Sequence, residues 1–492
     1  MTSLKADTLL TWSLLRGSPR GEWWRLGLTG VGAALGTVFA LAALTVAAIG
    51  TRYGGGGMIS YTNGLLNTPS LRTGVAGSLL LLLLPVLAFI GQCARIGALR
   101  RERRMAALRL AGATPDQVRW LAALETGVVS ALGALAGLGG FLALRAALAA
   151  DRPETTWPDG PVRRLTWPTE VQVPWAAMLL MTAVVPALAT LEARFTLRRA
   201  GEQPLGVAAG VRPATGRRRN GLVPWVWAPT ALVAAAGLQL LNIFVIGSDH
   251  SGSRHRSVLG TYELVTALAV ALFAAGLFFG AAGLAVVTGR LAARSGRPEL
   301  LIAGERLLAD PWAAARCHAA VMFAVLLGVG FAGVRRIMLD YLAAPPPFPA
   351  VPYSRSDLAF YHGGISIAGL AIAIVAAVTA GGLVVGAIES VVTRRRTLAT
   401  LAATGVPRGV LLRAALLEAA LPLVPTVVLA SACAMTITGG WWAATDMHVS
   451  ASLPVLEPLL TAAGLLAAAL LAAAAGLPLL RRVVRPAGLR YE

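Results

Sequence analysis

The chain has 492 residues, of which 56% are hydrophobic and only 13% charged, with a mean hydropathy of +0.69. A soluble domain carries about 25% charged residues; here the apolar excess falls in uncharged runs of about 20 residues or more, each long enough to cross a bilayer core as a helix, which excludes a soluble protein. The net charge of +20 comes almost wholly from arginine, Lys5 being the one lysine, a bias that fits a GC-rich bacterial coding sequence and, given where the arginines sit, points away from nucleic acid.

About 25 polar and amphipathic residues precede the first full-length run, so no cleavable signal peptide is expected and the first span serves as its own insertion signal. Apolar runs bounded by charge and turn residues predict ten helical spans, over 26–50, 74–97, 121–149, 173–193, 225–247, 262–289, 317–340, 363–389, 413–439 and 455–479. The period-two alternation of a membrane barrel is absent. With the N-terminus placed inside, the inner segments hold 32 of the 43 basic residues, and the positive-inside bias puts both termini in the cytoplasm of a cell-membrane protein. Trp23, Trp24, Trp120, Trp175, Trp225, Trp227, Trp312, Trp441 and Trp442 lie near span ends, where the amphipathic indole prefers the headgroup level.

The loops and isolated polar residues carry little chemistry. Gly54 to Gly57 form a flexible external loop, and Pro345 to Pro349 contain a stiff one. His250 and His255 have only Asp249 beside them, too few ligands for a metal site. Gln239 and Asn242, inside the fifth span, read as interhelical hydrogen-bonders. Cys93, Cys317 and Cys433 fall in or at the ends of spans, so no disulfide framework is expected. A phosphate-binding loop needs a lysine after its glycines; Lys5 is followed by Ala6, so the chain has no such loop of its own.

The sequence repeats itself at an offset of about 293 residues. Leu14-Leu15 before the first span matches Leu307-Leu308 before the seventh, each in an amphipathic elbow. RRERRMAALRLAGATPDQVRWLAALE (100–125) matches TRRRTLATLAATGVPRGVLLRAALLE (393–418), with Arg101 on Arg394, Gly112 on Gly405 and Glu125 on Glu418. The fold class expected is therefore an all-α polytopic membrane protein of ten transmembrane helices. Two four-span repeats, residues 1–199 and 299–492, flank a linker and two-span hairpin over 200–298. The linker carries Arg217-Arg218-Arg219. Both copies begin and end inside, a parallel repeat rather than the inverted one common in secondary transporters.

Within each copy the arginine run leads into a short helix that turns at Gly112 or Gly405 and restarts at a proline, Pro115 or Pro407. Thr114 is the expected N-cap and Pro115 the first helical residue. A helix, glycine turn and second helix reaching from the membrane into the cytoplasm make a rigid knob for another protein to push. Taken alone, the arginine clusters are topology anchors; their repetition, together with the glycine turn and helix restart next to each, points to a knob. Glu125 and Glu418 come next, near the inner interface, as hydrogen-bonded or partly solvated acids.

The run LRLAGAT, preceded by an Arg/Glu-rich helix and followed by an interfacial glutamate, resembles the signature of FtsX/MacB-like ABC transporter permeases. The second copy, with Thr404 and Val406, is a weaker match. The ten-span arrangement is most similar to BceB-type permeases. The resemblance implies that 105–116 and 398–409 are coupling helices docking into a separate ATP-binding subunit. Met105, Leu108, Arg109, Leu110, Gly112, Ala113, Thr114 and Pro115 would make the first contact, and Leu398, Leu401, Thr404, Gly405, Val406 and Pro407 the second.

It further implies two copies of a cytoplasmic ABC ATPase as partners. ATP and Mg would sit on that ATPase, with no cofactor, metal or catalytic residue on this chain. Unlike family members with a large extracellular domain, the loops 51–73 and 341–362 are short. Export of a lipophilic or amphiphilic compound from membrane lipid is the function expected. The alternative is a mechanotransmitting complex that moves no substrate and signals to a membrane-embedded partner.

Overall fold

The computed structural model of the chain describes residues 23–49, 69–95, 112–150, 154–157, 160–163, 165–200, 223–247, 255–343, 355–393, 404–444 and 453–475, with Tyr61, Leu66 and Leu401. An apolar run in lipid can satisfy its backbone only internally, so each expected span folds as helix. In chain order these are α1 (Trp23–Ile49), α2 (Pro69–Leu81), α3 (Leu83–Arg95), α4 (Pro115–Ala150), α5 (Trp175–Ala200), α6 (Val223–Gly247) and α7 (His255–Ala293). Then come α8 (Pro298–Ala309), α9 (Pro311–Ala343), α10 (Arg355–Thr393), α11 (Arg408–Ala444) and α12 (Leu456–Ala474).

Among the described residues nine segments are long and apolar enough to cross a membrane. The helix α6, with a shorter apolar stretch over Trp225–Leu241, occupies the remaining expected position, the fifth. The molecule is a nearly all-helical polytopic membrane protein.

Three local features depart from a plain ten-helix reading. The second span is two helices: Pro85 has no N–H for the Leu81 carbonyl, and its ring presses on that turn. The helix breaks at Leu82, whose N–H still reaches the Ser78 carbonyl at 3.1 Å. The elbow α8 is separated from α9 at Asp310-Pro311, where the residue before proline leaves the helical region (φ −142°, ψ 80°). The loop between α4 and α5 holds an antiparallel hairpin, β1 (Glu154–Trp157) on β2 (Gly160–Arg163), with Glu154 opposite Arg163 and Trp157 opposite Gly160.

Packing is organised around two central helices. The α1 span is 67% buried and packs on α2, α3, α4 and α5; the α9 span is 78% buried and packs on α7, α10, α11 and α12. The α10 and α12 spans are each only 22% buried and form the periphery. Van der Waals fit rather than hydrophobic transfer drives helix association in lipid, so close seams need small residues. Along α1 and α4, Gly30 and Ala34 face Gly133 and Gly137 so closely that a Cβ on either α4 glycine would collide with α1 backbone. Buried hydroxyls are satisfied within their own helices: Thr37 donates to the Ala33 carbonyl and Thr45 to that of Leu41, both at 2.8 Å.

The hairpin of α6 and α7 takes a side. It packs on α9 and α11, and α7 also meets α8 and reaches α2. A continuous core joins Val270, Phe273 and Leu277 of α7 to Met322 and Leu326 of α9 and to Leu423 and Val427 of α11.

Candidate functional site: paired glycine turns

Helices α3 and α10 run side by side in one direction: Leu82, Leu83 and Val86 share a core with Val375, and further along Phe89 and Gln92 lie against Gly382. Helices α4 and α11, which begin just after the two turns, run parallel to α1 and α9 and opposite to α3 and α10, so both turns lie on one face, hereafter the turn face. Both turns pass through a left-handed glycine, Gly112 at φ +95° and Gly405 at φ +93°. Among the described residues no atom lies within 4 Å of where a Cβ would sit at either position, and the positive φ alone calls for glycine there.

After Gly112 the chain restarts through a reciprocal capping box. The Gln117 N–H donates to Thr114 Oγ1 (3.3 Å), and the Thr114 N–H donates to Gln117 Oε1 (2.9 Å). Pro115, which lacks an N–H that would be orphaned in any case, is the first residue of α4. The second turn closes differently. The Val406 N–H reaches back to the Leu401 carbonyl (3.1 Å), the six-to-one bond of a Schellman turn with Gly405 at its left-handed position. Thr404 Oγ1 donates to the same carbonyl (2.9 Å). Pro407 precedes α11 instead of opening it; its carbonyl accepts from Val410 (3.0 Å) and Leu411 (3.4 Å).

Gly112, Thr114, Thr404, Gly405 and Pro407 are exposed, and Ala113, Leu401 and Val406 half-buried. Met105, Leu108, Arg109, Leu110 and Leu398 lie outside the described residues. Glu125 and Glu418 sit at the same distance into the helices that the turns launch. Glu125 is 9% exposed; Glu418 is half-buried and pairs with Arg306 of α8, Oε2 to Nη1 at 3.3 Å. On α4 a different latch operates: the Arg194 guanidinium of α5 lies 4.5 Å from the centre of the Trp120 ring.

Sequence reasoning missed both latches and the bond between Gln92 and the far half of the chain, where Gln92 Nε2 donates to the Cys317 carbonyl at 2.7 Å. The signals were faint: one arginine in an apolar elbow, one amide in an apolar span. Gln239 is buried as expected of an interhelical residue, but its Nε2 has no hydrogen-bond partner among the described residues.

On the face opposite the turns, Arg145 Nη2 donates to the carbonyls of Thr169 (2.7 Å) and Val171 (2.6 Å), and the Tyr61 hydroxyl donates to Glu170. Leu66, Leu165, Trp167, Val171 and Val173 pack there over the end of α1. Arg335 and Arg336 of α9 hold Glu457 of α12 at 3.0 and 3.3 Å.

The chain is thus a multi-span helical membrane protein that presents two exposed, conformationally matched turns on one face. Residues 76–202, from within α2 to just past α5, match the family model of the FtsX-like permease C-terminal domain. Membrane proteins of that family pair with an ATPase partner. No curated protein matches this chain.

Proposed function

We propose that the chain is the permease subunit of an ABC transporter, driven by two copies of a cytoplasmic ATPase. The observation that carries this reading is the pair of left-handed glycine turns on one face, each opening a helix that runs across the membrane. The turn face is cytoplasmic, because the arginine runs that precede both turns obey the positive-inside rule. The second turn stands in the same role as the first, so that two four-span units, 1–199 and 299–492, each present one knob. Closure of the ATPase pair around ATP and Mg presses the knobs, formed by 105–116 and 398–409, and rocks the units against each other. The chain itself binds no nucleotide. With short loops on the far face, the cargo is a lipophilic or amphiphilic compound taken from the membrane and exported.

A second reading has a specific observation behind it. The packed outer layer over α1, with the Tyr61–Glu170 and Arg145 contacts, gives the first half an ordered surface on which the stroke is displayed to a membrane-embedded partner without transport.

The test of coupling is a pull-down of the tagged permease from native membranes, with Gly112→Pro, Gly405→Pro as the comparison. Proline cannot adopt positive φ. An ATP-binding subunit that copurifies with wild type and is lost from the well-folded double variant supports the assignment; wild type emerging without any ATPase overturns it. ATP-dependent movement of a lipophilic dye in vesicles then separates transport from signalling.

A further inference from the structure

Spans five and six, the helices α6 and α7, have no counterpart in the repeat. Besides packing directly on α9 and α11, they reach the turn face through α8. Helix α8 folds back along the end of α7 after a short turn, in which the Arg297 N–H donates to Ser295 Oγ (3.3 Å). The two helices touch backbone to backbone: a Cβ on Gly304 would stand 2.6 Å from the Ala293 nitrogen and 2.7 Å from the Gly289 carbonyl oxygen. Leu307, 2% exposed, completes that seam against Gly289. Helix α8 thus moves with α7.

The other side of α8 faces α11, the helix that begins immediately after the second turn. There Arg306 meets Glu418 at 3.3 Å, with side chains only 18% and 21% exposed. A half-buried pair holds its geometry far better than a surface one, since neither charge is well served by water once its partner leaves. At the repeat offset Arg306 falls on Ser13, while Trp120 and Arg194 fall on Arg413 and on Pro486 or Ala487, so neither pair is repeated position for position.

We propose that Arg306 is the positioning residue that carries the motion of the second turn to spans five and six, through Glu418, α8 and α7. The central hairpin is then a moving part of the second unit. This rests on the proposed coupling of the turns to an ATPase. The pair does not touch the ATPase; it decides what the second knob moves.

The test places spin labels at Thr404→Cys and Leu291→Cys, both exposed positions, with Cys93, Cys317 and Cys433 replaced by alanine. The permease, isolated with its ATPase from native membranes, is measured in lipid nanodiscs without nucleotide and after trapping with ATP and vanadate. In wild type the 404–291 distance distribution stays the same in both states. Arg306→Glu broadens it at least twofold and makes it nucleotide-dependent, Arg306→Gln does so without reversing a charge, and the swap Arg306→Glu, Glu418→Arg restores the wild-type distribution. ATPase copurification is unchanged throughout, because Arg306 lies outside both turns. An unchanged distribution in Arg306→Gln, or a swap that fails to restore, overturns the proposal. If wild type brings down no ATPase, the coupling reading fails by itself, and the nucleotide-free distributions of wild type, Arg306→Gln and the swap still decide whether the tie exists.

Discussion

The helices launched by the two turns, α4 and α11, start from the same backbone conformation and are then held by different chemistry. Helix α4 is sealed onto α1 by glycines and latched to α5 by a guanidinium over an indole. Helix α11 sits on α9 at Gly330, where a Cβ would lie an ordinary 4.0 Å from that of Ala434, and at Gly333, where a Cβ would meet the Thr438 side chain rather than backbone, and it is latched to α8 by an ion pair. Duplication thus preserved what the partner would have to recognise, the turn, and let the surroundings of each helix diverge. On the proposed coupling what differs is the load: α4 would carry a compact four-span group, and α11 the α7–α8 arm as well.

The seam offers the sharpest way to break this comparison. Gly133→Ala and Gly137→Ala force a Cβ into α1 backbone, whereas Gly330→Ala meets only van der Waals contact. Overpacking against backbone costs about 1–3 kcal/mol per site, so the Gly133, Gly137 double variant should lose most of its folded fraction when heated in detergent, and Gly330→Ala should match wild type. Equal behaviour of the two seams would remove the distinction. Next in size is Arg145→Met, which deprives the Thr169 and Val171 carbonyls of their donor. A loss of about 1–3 kcal/mol is expected, read as earlier protease cleavage in the loop between α4 and α5, with the pull-down of ATPase unaffected.

Much of this was legible in the sequence because it depends on local rules. Uncharged length fixes a span, and the tryptophans at 23, 120, 175, 225 and 227 do lie exposed near helix ends. Gly112 and Thr114-Pro115 announce a left-handed stop and a capped restart, since only nearest neighbours decide those conformations. The repeat doubled each of these signals. Contacts between distant segments were not legible. Arg306 and Glu418 are 112 residues apart, and nothing in either neighbourhood names the other. The side taken by α6 and α7 is set by the α7–α8 seam, where Gly289 and Gly304 look like any other membrane glycines. The hairpin at 154–163 is too short to show a period, and Pro85 was visible without revealing that it divides a span.

The conformational match of the turns predicts equal penalties. Gly112→Ala and Gly405→Ala should each cost about 1 kcal/mol from backbone strain, since among the described residues no atom lies where the new methyl group would stand. Thermal midpoints of the two variants should fall together, and ATPase recovery should weaken by similar factors. A large difference would mean that one turn is held in its conformation by something other than its own glycine, and the symmetry of the two knobs would be lost.

The smallest effects separate the two ways of closing the turn. Thr114→Ala removes the Oγ1 acceptor for the Gln117 N–H and leaves Gln117 half of a broken box, a loss of about 1 kcal/mol. Thr404→Ala removes a hydroxyl whose acceptor, the Leu401 carbonyl, keeps the Val406 N–H. No backbone group is orphaned there and the residue is exposed, so its cost should be only a few tenths of a kcal/mol, within the range of ordinary surface substitutions. Hydrogen exchange at the first turn of α4 and of α11 measures this directly. Thr114→Ala should accelerate exchange at Gln117 by about fivefold, while Thr404→Ala leaves Val406 and Val410 near their wild-type rates. If Thr404→Ala instead frees Val406, the hydroxyl and not the Schellman bond closes the second turn, and the two copies are more alike than their hydrogen bonds make them.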